Sequence, residues 1–141
     1  MTRRDDQRWD AAPLLMLLGL MALSPLILVQ IAWAHANLLR AVPGPHTELQ
    51  QPPARLAPWF TEQIAPGFSA IQVLDAQGRR MDNDDSMVDQ EDATTLTVTL
   101  QPVPHGLYTV AWKNVSMVDG HRVRGAFVFS VGTPLPRGPV S

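Results

Sequence analysis

The chain contains no cysteine. That excludes disulfides, thiolate metal sites and dithiol redox chemistry. Any metal held here must use nitrogen, oxygen or thioether ligands. The absence also suits an oxidising compartment, where a free thiol is a liability. There is no basic excess: 11 Lys and Arg stand against 13 Asp and Glu, a formal net charge of −2. Nothing in that balance points to nucleic acid, and the acidic surplus is too small for a solvating tail. The catalytic signatures G-x-S-x-G and H-E-x-x-H are missing, as is a phosphate-binding glycine loop. No internal repeat is present. Thirteen prolines and nine glycines argue against a helical bundle.

Long apolar runs are confined to one place. Met1–Asp10 are polar, with Arg3, Arg4 and Arg8 set against Asp5, Asp6 and Asp10. Ala11–Ala34 are apolar, broken at Pro13 and Pro25, and end in Ala32-Trp33-Ala34, an A-x-A cleavage pattern. Residues 1–34 therefore read as a signal peptide whose removal makes His35 the first residue. The alternative is an uncleaved anchor helix, since the run approaches the ~20 residues that span a bilayer. Either way the remainder is expected outside the cytoplasm, periplasmic or extracellular. Membrane contact is expected only if the leader is retained. Arg3-Arg4 does not indicate twin-arginine export, because Asp5-Asp6 follow where apolar residues are required.

From His35 onward the periodicity is that of strands. Segments 36–42, 54–62 and 69–75 alternate, Ala76-Gln77-Gly78 makes a turn, and Arg79–Met81 begins a return strand. Thr94–Leu100 alternates threonine with Leu96, Val98 and Leu100. Segment 106–112 puts Tyr108, Val110 and Trp112 on one face, and segment 125–131 does the same with Phe127, Phe129 and Val131. About seven short strands over roughly 100 residues predict an all-β fold, an immunoglobulin-like Greek-key β-sandwich. Its expected core includes Leu38, Trp59, Ile71, Val73, Leu96, Val98, Tyr108, Val110, Trp112, Phe127 and Phe129. Residues 133–141, rich in proline and glycine, read as a disordered tail.

The chemistry rests on histidine. With Ala34 removed, His35 carries a free α-amine and an imidazole, which can chelate one metal ion through two nitrogens. A terminal amine has a pKa of about 7.7–8.0, so its proton is readily lost to a metal near neutral pH. Nitrogen donors in a plane suit copper(II) best. Asp119-Gly120-His121 offers a carboxylate and a second imidazole in a loop, on one side if the backbone there is extended. His46 and His105 sit in Pro- and Gly-flanked turns and read as solvated. The acid-rich stretch Met81–Asp92 lacks the glycine and final glutamate of an EF-hand loop, so it reads as a solvated acidic loop.

The stretch Gly106-x-Tyr108-x-Val110-x-Trp112, then Ser116, Asp119-Gly120-His121 and Gly125-x-Phe127-x-Phe129-x-Val131, resembles the C-terminal half of the CopC family of copper-resistance proteins. His35-Ala36 after the leader and Phe60-Thr61-Glu62 are similar to that family's start and its aromatic–hydroxyl–glutamate strand. The resemblance spans roughly residues 35–132. It implies an exported β-sandwich that binds copper(II) as a carrier or buffer, without catalysis. It implies metal ligands at His35, Asp119 and His121, with Glu62 close by to orient a ligand or a water. Copper is the implied cargo, and a membrane copper-transport protein is the candidate partner. Many members have a second histidine where this chain has Asn37, and one residue where it has Met117-Val118. Met81, Met87 and Met117 are scattered, so no copper(I) site is expected. Two other functions fit the same features: a copper-dependent oxidative enzyme with an N-terminal histidine, and a metal-free immunoglobulin-like interaction module.

Overall fold

The computed structural model describes residues 36–137. The leader and His35 lie outside the described residues. Two four-stranded sheets form the domain. One has the order β1-β3-β6-β5, built from Leu38–Val42, Arg55–Phe60, Leu96–Thr99 and Met87–Val88. The other has the order β2-β8-β7-β4, built from Thr47–Leu49, Arg122–Val131, Gly106–Val115 and Ala70–Asp75. The chain changes sheet at every step except β5 to β6 and β7 to β8, as expected of a β-sandwich. Among the described residues no helix is long and apolar enough to cross a membrane.

The core is the meeting of two alternating faces. β7 and β8 contribute Tyr108, Val110, Trp112, Phe127, Phe129 and Val131, facing Leu56, Phe60, Leu96 and Val98 from the other sheet. The phase of β3 differs from expectation. Phe60 is buried at 2% exposure and packs edge-on to Trp112, with ring centroids 5.0 Å apart. Trp59 turns to the other face, where the Arg40 guanidinium lies 3.7 Å from its ring centre. A tryptophan suits that half-buried position because its ring face attracts a cation while its body still covers the sheet. Leu38 is only partly buried. Tyr108 donates its hydroxyl proton to the Pro104 carbonyl four residues upstream, a tie typical of sandwich corners.

Two short strands were not foreseen. β2 pairs in parallel with β8, Thr47 opposite Phe129, and β5 pairs with β6. Conversely, the return strand at 79–81 amounts to isolated bridges, Leu74 to Arg80 and Asp82 to Leu100.

The acidic stretch is not a loosely solvated loop. Asp82 is 2% exposed and accepts from the Val73 amide at 2.8 Å and from Arg80 Nε at 2.8 Å. Asp85 accepts from the Thr99 amide and hydroxyl, and Asp92 from the hydroxyls of Thr94 and Thr95. Short carboxylates here serve as hydrogen-bond acceptors for a strand edge whose own ladder is interrupted.

Candidate metal centre

β7 is longer than its apolar run suggested, because Asn114 continues the inward phase of Tyr108, Val110 and Trp112. Asn114 is 1% exposed, and its side-chain nitrogen donates to the Ala36 carbonyl at 2.8 Å. Asn37 is fixed in turn to the end of β3. Its amide donates to Thr61 Oγ1 at 3.1 Å, and the Thr61 amide donates to its carbonyl at 2.9 Å. The described chain therefore begins at one end of the sandwich, tied to β7 and to the β3 terminus. Asn114 carried a signal in the sequence, as a polar residue in a core phase, that strand alternation alone left unread.

The β7–β8 connection, Ser116–His121, lies at that same end. Ser116 is 2% exposed and organises it. Its hydroxyl donates to Glu62 Oε2 at 2.6 Å and accepts from the Val118 amide at 3.0 Å. Its carbonyl accepts from the Gly120 amide at 3.0 Å, and its own amide donates to the His121 carbonyl at 2.9 Å. The Met117 amide donates to the Gln63 carbonyl at 2.9 Å, so the turn is bound to the chain after β3 on both sides of Ser116.

Asp119 and His121 are exposed on this turn. The backbone is not extended there. Gly120 has φ of +71°, in the left-handed region where glycine carries no Cβ penalty. The two residues are linked instead by an Asx-type turn, in which the His121 amide donates to Asp119 Oδ1 at 2.9 Å. Glu62 is half-buried, and its observed partner is Ser116 rather than either candidate ligand. Among the described residues no three His, Asp or Glu side chains gather closely enough to hold a metal. The third predicted ligand, His35, falls outside them.

The other histidines are elsewhere. The His105 ring packs on Gly132, where an added Cβ would come within 2.5 Å of it. Gly132 follows the far end of β8, and a ten-residue strand separates it from His121 by roughly 30 Å. His46 donates its amide to the Val128 carbonyl at 2.8 Å and points to solvent in a turn of its own.

A sandwich whose chain start and β7–β8 turn are stitched together at one end, with a carboxylate and an imidazole on that turn, defines an immunoglobulin-like domain with a terminal metal-site candidate. The CopC domain model matches residues 38–132. The chain belongs to the CopC family. It is 34% identical over 106 residues to the copper transport protein CutJ of Bacillus subtilis, covering 74% of this chain but only 19% of CutJ. It is 31% identical over 100 residues to protein YobA of Escherichia coli K12, covering 70% of this chain and 80% of YobA. Among solved structures, CopC from Methylosinus trichosporium OB3b superposes with a TM-score of 0.62 at 24% identity, covering 74% of this chain and all of that one. PcoC, a methionine-rich copper resistance protein from Escherichia coli, superposes at 0.57 and 24% identity, covering 70% of this chain and 99% of that one. The family is thus one of copper resistance and transport, and its β-sandwich is the fold found here.

Proposed function

We propose that the protein is exported, loses residues 1–34, and carries or buffers copper(II) outside the cytoplasm without catalysing a reaction. The mature domain then begins at His35. Its α-amine and imidazole, the Asp119 carboxylate and the His121 imidazole supply four donors suited to tetragonal copper(II). Glu62 acts through Ser116, holding the turn on which Asp119 and His121 sit. A membrane copper-transport protein is the natural acceptor of such a cargo.

The observation that carries this reading is the clamp on Ala36 and Asn37. Their carbonyls and the Asn37 amide are all hydrogen-bonded to β7 or the β3 end, the elements that frame the Ser116–His121 turn. Ala36 and Asn37, the first described residues, are thereby held at the end of the domain that carries that turn. The non-enzymatic reading is supported by the aromatics. Tyr108, Trp112, Phe127 and Phe129 are spent on the core and leave no flat aromatic platform on that sheet for a polymeric substrate.

The test is a copper(II) titration of the exported protein with electron paramagnetic resonance detection. The expected result is one tight tetragonal site with nitrogen hyperfine structure. D119A and H121A should each weaken it by more than the roughly 10–100-fold that loss of a ligand's hydrogen-bonding neighbour costs. Unchanged spectra and affinity in both variants would remove these residues from the site.

A further inference from the structure

The outer face of the β4-β7-β8 sheet carries an electrostatic conflict. Lys113 on β7 stands directly opposite Arg124 on β8, and Arg122 lies two residues along β8 on the same face. Like charges directly opposite each other destabilise a sheet. No described acid relieves this one: Lys113, Arg122 and Arg124 are absent from every ion pair among the described residues. The protein's net charge is nevertheless −2, and six of its 13 carboxylates lie in the Asp82–Asp92 stretch. A local violation of sheet chemistry without compensation marks a place where function has overridden stability.

The surface around these cations is concave. One depression of about 190 Å³ is lined by Phe68, Lys113, Arg122 and Arg124. A second, of about 520 Å³, is lined by Gln72, Arg80, Lys113 and Arg124. Lys113 and Arg124 line both, so the two depressions flank that pair and make a grooved face. Asp84, the one acid lining it, is ion-paired to Arg80 at 2.7 Å. At one end Phe68 stands 67% exposed, an unusual position for a phenylalanine. The groove borders the Ser116–His121 turn, since Arg122 follows His121 directly.

We propose that this groove docks an extended acidic segment of a partner protein, with carboxylates on Lys113, Arg122 and Arg124 and an apolar side chain on Phe68. The occupant follows from charge and shape. Three unpaired cations call for an anionic partner. Concave depressions on either side of the Lys113–Arg124 pair fit the side chains of a polypeptide better than a flat lipid surface. The docking stands independently of the copper ligands, because none of its residues is among them.

The test measures binding of a fluorescein-labelled Glu/Asp-rich dodecapeptide containing one phenylalanine to the metal-free exported protein, by anisotropy at low and at physiological salt. Binding should be measurable at low salt and weaken as salt rises. K113E should do two opposite things: lower peptide affinity roughly tenfold or more, and raise the thermal midpoint, because it turns a like-charge pair into an opposite-charge pair. F68S should lose a severalfold share of affinity with the midpoint unchanged. R55E, on the other sheet, should bind as the parent does. The proposal is overturned if the peptide does not bind, if R55E weakens binding as much as K113E, or if K113E lowers the midpoint. It is equally overturned if phosphatidylglycerol vesicles bind the protein while the peptide does not, since the face would then be a lipid surface.

Discussion

Ser116 shows how one small side chain can place two others. Its hydroxyl is spent on Glu62 and on the Val118 amide, and its backbone closes the turn through Gly120 and His121. S116A removes the hydroxyl and leaves a half-buried carboxylate short of a donor. The expected cost is about 1–3 kcal/mol in urea unfolding. Copper(II) affinity should fall with it, because the turn bearing Asp119 and His121 loosens. E62Q keeps an acceptor for Ser116 and should lose less of both; an equal loss in the two variants would contradict a role limited to accepting that bond. Gly125 makes a second residue-scale case. A Cβ there would lie 2.3 Å from Trp112 Cζ2, with no freedom to move because Trp112 is wedged against Phe60. G125A should therefore cost about 1–3 kcal/mol, the usual range for overpacking. In the sequence this glycine was visible only as the start of an alternating strand. Its reason, an indole lying across it from the paired residue, requires the register of β7 on β8.

At the scale of elements, what the sequence made legible was periodicity, and what it hid was long-range pairing. β4, β6 and β7 alternate, as does β8 up to the buried Ser130, and the apolar residues expected inward on them are buried. β3 misleads because Trp59 and Phe60 are adjacent aromatics and either could define the phase. Cation pairing with Arg40 decides for the outward tryptophan. β2 has three residues and pairs in parallel with a strand about eighty positions away, which no local pattern announces. The acidic stretch is similar. Its composition reads as solvation, whereas its carboxylates cap backbone donors. Hydrogen bonds from the Thr99 hydroxyl and amide hold Asp85 below the usual carboxylate range, and those from Thr94 and Thr95 do the same for Asp92. The sign follows from linkage. A depressed native pKa contributes stability above the unfolded value of about 3.9, lost as pH falls through the native value. Thermal midpoints should therefore decline as pH drops below about 4. D92N should be less stable than the parent at pH 7 and show a shallower acid decline; a parallel decline would contradict this role for the carboxylate.

For the whole molecule, the candidate site was legible as a motif but incomplete as geometry. Asp119-Gly120-His121 stands where expected, between β7 and β8, yet the pair is joined by an Asx turn rather than by strand alternation. The clamp of Asn114 on Ala36 could not be inferred without the fold, since the two are 78 residues apart. Family membership rests on the CopC match over residues 38–132, and the separate alignment with CutJ spans about a fifth of that protein. If the exported protein binds copper(II) only when folded, copper at 100 times its dissociation constant should stabilise it by about 2.7 kcal/mol. That gain should shrink on acidification, because a terminal amine must lose its proton to bind.

The proposed metal site turns on the amine of mature His35 as a copper ligand. It is tested most directly by comparing the exported protein, its start verified by intact mass, with one carrying a single alanine before His35. With the amine as a ligand, the extended protein binds copper(II) sharply more weakly and gives an altered electron paramagnetic resonance spectrum, while unfolding of the metal-free forms is unchanged. Equal affinity and identical spectra in the two would contradict that role.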